Sequence, residues 1–308
     1  LAEVLSVRAP ATSANLGPGF DVLAVALELV NEVIIQRRPG PLSVTVQGAG
    51  KGELAEDETN LVCQALLKGL DSLDGLEIEC RNHIPLGSGL GSSAATVCAG
   101  LVAANALGGL RWSPDELLAR ATEMEGHADN AAACLEGGIV AVVPGPTALP
   151  IALPPDLAFV TVTSPVRVST DAARSALPAQ VPLADAAWTL SHAVGLVMAL
   201  NDNRLDDLPD LFHDRLHEPY RAPLVPGLEA LRPLAGTEGC LGVTISGSGP
   251  TVLLWCRTTS AGDVCRRAEQ ALAAAGVEGE ARVVRATSVG VRARWVTDAA
   301  PRLERSIG

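Results

Sequence analysis

Short period-two runs of apolar and polar residues dominate the first eighty positions. Val4 to Ala9 alternates, Val22 to Val30 and Glu32 to Gln36 repeat the pattern, and Leu42 to Gln47 and Leu76 to Cys80 follow, which predicts strands joined by short turns. Pro10 to Asp21, with two prolines and two glycines, predicts a loop. Helical spacing runs from Thr59 to Leu70, with Thr59 placed to cap it, and again from Ser92 to Leu107, where Gly108-Gly109 stops it. Ser113-Pro114-Asp115-Glu116 reads as a capped helix start, and Gly126 as its end. After a strand over 138–143, the five prolines within 144–155 mark the predicted boundary between a domain of residues 1–150 and one of residues 151–308.

The second half predicts strands over 157–163, 241–246, 251–256 and 281–287. Helices are expected over 184–200, 208–216 and 263–275. This loose alternation fits an α+β sandwich.

Composition narrows the class. The 308 residues are 48% hydrophobic but only 3% aromatic, which suits closely packed layers of small aliphatic side chains in two domains. A net charge of −12 argues against a nucleic-acid partner and requires any phosphate to be held by local amides, a few arginines and a metal ion. Seven cysteines with no C-x-x-C pair point to a reduced, cytoplasmic protein without zinc. No apolar run reaches roughly 18 residues, so no membrane partner is expected.

Pro85 to Ala95, PLGSGLGSSAA, carries the strongest chemical signal. Glycines 87, 89 and 91 allow close backbone approach, and the following helix start adds unpaired amides and a positive dipole end, together an anion site. The loop lacks the lysine of a Walker A motif and the last interval of a dinucleotide fingerprint.

Taken together, PATSANLGPGFD (10–21), PLGSGLGSSAA, EGHADN (125–130) and ISGSGPT (245–251) resemble the GHMP kinases; with STDAAR (169–174) and HEPYR (217–221), the first segment is similar to the homoserine-phosphorylating branch of that family. The resemblance implies a two-domain α+β fold: an N-terminal ribosomal-protein-S5-domain-2-like unit that binds ATP, and a C-terminal ferredoxin-like unit. It also implies transfer of a phosphoryl group from ATP, with Mg2+, to the side-chain hydroxyl of L-homoserine, a step of threonine biosynthesis, and a homodimer. The rivals are a mevalonate-type kinase and a non-catalytic binding protein of the same fold.

The resemblance assigns ATP binding to Pro85, Leu86, Gly87, Ser88, Gly89, Leu90, Gly91, Ser92, Ser93, Ala94 and Ala95. It assigns the amino-acid pocket to Asn15, Asp21, Asn130, Arg174, Arg221 and Gly247. The chemistry agrees: guanidinium forks suit a carboxylate, and a carboxylate suits an ammonium. Related mevalonate-type kinases carry an aspartate base where this chain has Asn130. An amide takes no proton at neutral pH, so Asn130 orients the hydroxyl, and the proton goes either to Asp21 or to the γ-phosphate. Ser92 with Glu125, or Glu123 in its place, supplies oxygen ligands for Mg2+. His127 and Asp129 form a His-x-Asp pair, more often structural than catalytic.

Overall fold

The computed structural model describes residues 3–145 and 147–297. Its strands are β1 (Glu3–Ala14), β2 (Leu23–Arg37), β3 (Ser43–Gly48), β4 (Leu76–Asn82), β5 (Ile139–Val143), β6 (Thr147–Ile151), β7 (Leu157–Thr163), β8 (Cys240–Ile245), β9 (Val252–Arg257), β10 (Glu280–Val284) and β11 (Arg292–Thr297). Its α-helices are α1 (Leu61–Leu66), α2 (Ser92–Gly108), α3 (Pro114–Glu125), α4 (Asp129–Glu136), α5 (Thr170–Ser175), α6 (Leu183–Asn201), α7 (Glu218–Arg221), α8 (Leu228–Leu231) and α9 (Ala261–Ala275).

Two sheets organise these elements. In the first, β11, β1, β2, β4 and β3 lie side by side, and β5 and β6 continue from β2; in the second, the order is β10, β7, β9, β8, all antiparallel. Helices α2 and α4, built largely of alanine and other small residues, pack on β1 and β2. One face of the second sheet (Phe159, Leu241, Leu253, Trp255) joins the core of the first, and the other (Val160, Val243, Leu254, Cys256) is covered by α8 and α9. Burial on both faces explains why β8 reads as a continuous apolar run rather than an alternation.

Several expectations change. β1 runs on through the predicted loop to Ala14, with a register shift between Pro10 and Ala11, since a proline without an N–H is tolerated where the ladder bulges. α1 is shorter than predicted and is capped by Asn60, not Thr59: Asn60 Oδ1 accepts the Val62 N–H at 3.0 Å. The predicted helix over 208–216 is replaced by a 3-10 turn, Leu205–Asp210, with Pro209 inside it, followed by irregular chain. β6 lies inside the proline-rich stretch and pairs with β5. β11 returns to pair with β1, so residues 292–297 sit in the sheet of the N-terminal half rather than with the rest of 151–308. α6 is apolar and long enough to span a membrane by length and composition, which the count of consecutive apolar residues missed.

Candidate active site

The glycine loop sits at the junction of the two sheets. Gly91 takes a left-handed conformation (φ 68°) as the N-cap of α2 and offers no side-chain cap. The first intrahelical bond is Ala95 N–H to Gly91 O, which leaves the amides of Ser92, Ser93 and Ala94 open at the positive end of the helix. A side chain at Gly91 would collide with Thr12 Oγ1, and one at Gly89 would collide with the carbonyls of Ser246 and Gly249. The late loop therefore docks directly on the glycine loop. Ser246 Oγ lies 2.8 Å from Gly89 O, and Thr251 N–H donates to Ser88 O at 3.1 Å.

Next to this helix start, a cavity of about 130 Å³ gathers residues far apart in sequence: Asn15 and Asp21, Asn130, Arg174, Arg221 and Gly247. Asn15 Nδ2–H donates to Gly247 O (2.7 Å), and its Oδ1 accepts the Asp21 N–H (2.9 Å). Arg174 grips Asp21 through two parallel bonds of 3.0 Å. Arg221 is buried, and loss of hydration lowers its pKa. It donates from Nη1 to Gly247 O (3.1 Å) and from Nε to Ala173 O (3.4 Å), and its guanidinium lies 5.1 Å from the Phe20 ring centroid. Asn15, Leu16 and Asp21 all have positive φ, between 47° and 71°. For non-glycine residues this costs on the order of 1–3 kcal/mol each and persists only where the surroundings enforce it.

Asn130 lies in the first turn of α4, where Thr12 Oγ1 donates to its Oδ1 at 2.8 Å. The His127–Asp129 pair is real, with Nδ1 to Oδ1 at 3.0 Å, and the same Asp129 oxygen accepts the Asn130 N–H at 2.8 Å. That bond raises the His127 pKa. Glu125 ends α3 facing the helix start, where its Oε1 accepts from Ser93 Oγ at 2.6 Å and burial raises its pKa.

Glu123 lies outside this group, exposed and 3.5 Å from Lys68. Leu90, Ala94 and Ala95 are buried, so their side chains serve the core while their backbones shape the loop. Pro85 and Leu86 face a larger cavity of about 580 Å³ on one flank of the loop. Another, of about 630 Å³, shares Ser92 and Ser93 with the small cavity and reaches Leu54, Asn60, Cys80 and Asn82. Sequence reasoning missed Thr12, Thr170, Ser248 and the buried pair Asp214 and His217. Among the described residues no cluster of three or more His, Cys, Asp or Glu side chains is placed to hold a metal, and all seven cysteines are free.

A glycine loop at a helix start, facing a small charged pocket, is suited to hold a phosphate beside a small polar molecule. The family descriptions "GHMP kinases N terminal domain" and "GHMP kinases C terminal" match residues 59–138 and 196–274. A homoserine kinase of Streptomyces avermitilis is 42% identical over 91% of this chain and 95% of its own length, and one of Moorella thermoacetica is 39% identical over 82% and 87%. The crystal structure of homoserine kinase from Cytophaga hutchinsonii superposes with a TM-score of 0.86 at 32% identity, covering 94% of this chain and 97% of that one. This chain belongs to the homoserine kinase family.

Proposed function

We propose that the protein transfers the γ-phosphoryl group of ATP to the side-chain hydroxyl of L-homoserine, giving O-phospho-L-homoserine for threonine biosynthesis. The observation that carries this reading is the meeting of Asp21, Arg174, Arg221 and Asn130 in one small cavity beside the open amides of α2. A zwitterion needs an anion for its ammonium and a fork for its carboxylate: Asp21, held in place by Arg174, suits the first, and Arg221 suits the second. A mevalonate-type acid has no ammonium to set against Asp21. The open glycine loop speaks against a protein that only binds.

Phosphate oxygens take the amides of Ser92, Ser93 and Ala94, and the adenosine extends into the 630 Å³ cavity that begins at the same serines. Mg2+ fits here: Glu125 is a desolvated carboxylate bonded to a serine hydroxyl, an all-oxygen set at the helix mouth, with Ser92 beside it. When bound, the ion neutralises charge on the β- and γ-phosphates. Both oxygens of Asp21 are held by Arg174, so Asp21 serves as a binding group rather than a base. The hydroxyl proton passes to a γ-phosphate oxygen, and Asn130 aligns the nucleophile. A loose phosphoryl-transfer transition state asks mainly for such positioning.

Seven free cysteines, six of them buried, support a reducing cytoplasmic setting. The exposed apolar face of α6 supports a homodimer: Leu183 (85%), Leu190 (64%), Val194 (51%) and Met198 (54%) share one stripe. ADP release measured with homoserine, with mevalonate and without acceptor tests the reading. Turnover with homoserine alone supports it, and no turnover, or turnover with mevalonate, overturns it.

A further inference from the structure

We infer that His217 is a positioning residue of the amino-acid pocket, whose Nε2–H bond to the Gly17 carbonyl holds the Asn15–Asp21 loop against the segment that carries Arg221. The inference rests on the function proposed above.

His217 has no exposed side-chain surface and does not line the cavity. Its Nε2 lies 2.7 Å from Gly17 O, a contact made across 200 positions of sequence. A carbonyl only accepts, so Nε2 carries the proton. Nδ1 is buried without a partner. A group kept only to fill space would be aliphatic, because an unpaired buried nitrogen is destabilising. The Gly17 carbonyl thus sets the tautomer, Asp214 Oδ2 lies 3.6 Å from the same Nε2, and burial lowers the pKa of the ring.

Gly17 follows two non-glycine residues with positive φ, so the turn it closes needs an external brace. The imidazole stacks on Phe20 (5.1 Å, 22°), and the Arg221 guanidinium also packs over Phe20. Two points within the loop, Gly17 and Phe20, are therefore referred to the same short stretch, His217 to Arg221. Asp214 fixes that stretch in turn. Its buried carboxylate accepts the N–H groups of Leu216, His217 and Glu218 (2.8–3.0 Å) and faces the Thr189 hydroxyl of α6 at 3.3 Å. Asn15 also braces the loop, through Gly247, but Asn15 lines the pocket. His217 can be changed without removing a group that faces the substrate.

The test is steady-state kinetics of the whole chain carrying His217→Gln, His217→Asn or His217→Leu, with homoserine and ATP varied separately. A glutamine amide nitrogen falls near the Nε2 position and an asparagine one near Nδ1. Glutamine is expected to keep the homoserine KM within about threefold, while asparagine and leucine raise it at least about tenfold. The KM for ATP should move less than about twofold in all three. Asparagine performing as well as glutamine, equal rises in both KM values, or no change at all overturns the inference. Wild-type protein inactive on homoserine overturns the proposed function instead. Should the variants not fold, long-range proton–nitrogen spectra of the wild type decide. Protonated Nε2 whose resonance shifts with homoserine, and not with a non-hydrolysable ATP analogue alone, is expected. Protonated Nδ1, or no response to homoserine, is the contrary result.

Discussion

Thr12 Oγ1 donates to Asn130 Oδ1 at 2.8 Å, a side-chain bond from β1 that restrains the amide of Asn130. A free amide would flip between two nearly isosteric orientations, one presenting an acceptor to the substrate hydroxyl and the other a donor. Thr12→Val removes the lock at almost constant volume and is expected to lower kcat about tenfold with little change in the KM for ATP; Asn130→Ala should cost about a hundredfold in kcat. Unchanged turnover in both would separate this pair from the chemistry.

Arg221→Ala should raise the homoserine KM by at least about thirtyfold while leaving that for ATP within about twofold, because in its proposed role the buried guanidinium would hold the substrate carboxylate alike in ground state and transition state. Arg221→Lys should recover little, since an ammonium cannot present two parallel donors and cannot keep the bond to Gly247 O as well. Separate initial-rate titrations of the two substrates check both. A parallel rise in the ATP KM would place Arg221 elsewhere in the mechanism.

The local parts of this site were legible in the chain, and its convergences were not. The glycine loop and the caps of α3 are written within a few consecutive residues, so spacing alone reports them: Ser113 caps α3, and in the structure it forms a capping box with Glu116 that the spacing had not singled out. Thr12 escaped notice because Pro10 looked like the end of a strand, whereas the bulge after it carries the strand on to Ala14. Asn60 rather than Thr59 caps α1 because the helix begins at Leu61, which puts Asn60 at the cap position while Thr59 donates to Asp57. The bonds of Asn15 and Arg221 to one carbonyl of Gly247 span 232 and 26 residues, and only the packing of the second sheet on the first core brings them together.

Glu125→Gln should weaken Mg2+ dependence markedly, raising the Mg2+ concentration for half-maximal rate about tenfold or more, because a neutral amide replaces the carboxylate that accepts from Ser93 Oγ at the helix start. Glu123→Gln serves as the control. Its side chain is 70% exposed and pairs with Lys68, so no change is expected. Rate against Mg2+ at fixed ATP measures both, and equal responses would remove Glu125 from the ion's ligands.

The apolar stripe of α6 should mediate self-association. The four exposed apolar side chains that share it, Leu183, Leu190, Val194 and Met198, leave on the order of 500 Å² open, over half of the roughly 800 Å² per partner of a standard interface. Leu183 and Met198 lie at similar distances either side of Leu190, so an antiparallel pairing about a two-fold axis brings each against the other. Light scattering after size exclusion should give a dimer for the wild type and a monomer for Leu190→Glu with activity retained. A monomeric wild type, or a dimer that survives the substitution, would assign this face another role.

Glu218 makes stability depend on pH in a direction opposite to most carboxylates. It is buried, accepts the Ile245 N–H at 2.8 Å, and desolvation pushes its pKa up to about 7. The folded state therefore holds this proton more tightly than the unfolded chain, where the group titrates near 4.5. Its contribution is fully present below about pH 4.5 and is lost as pH rises through about 7, by on the order of 3 kcal/mol. Glu218→Gln keeps an acceptor for Ile245 and removes the titration. The variant should melt at a higher temperature than the wild type at pH 8 and at nearly the same temperature at pH 4.5. Thermal unfolding at the two pH values reads the difference, and a variant less stable at pH 8 would mean that the charged carboxylate is the form the fold is built to hold.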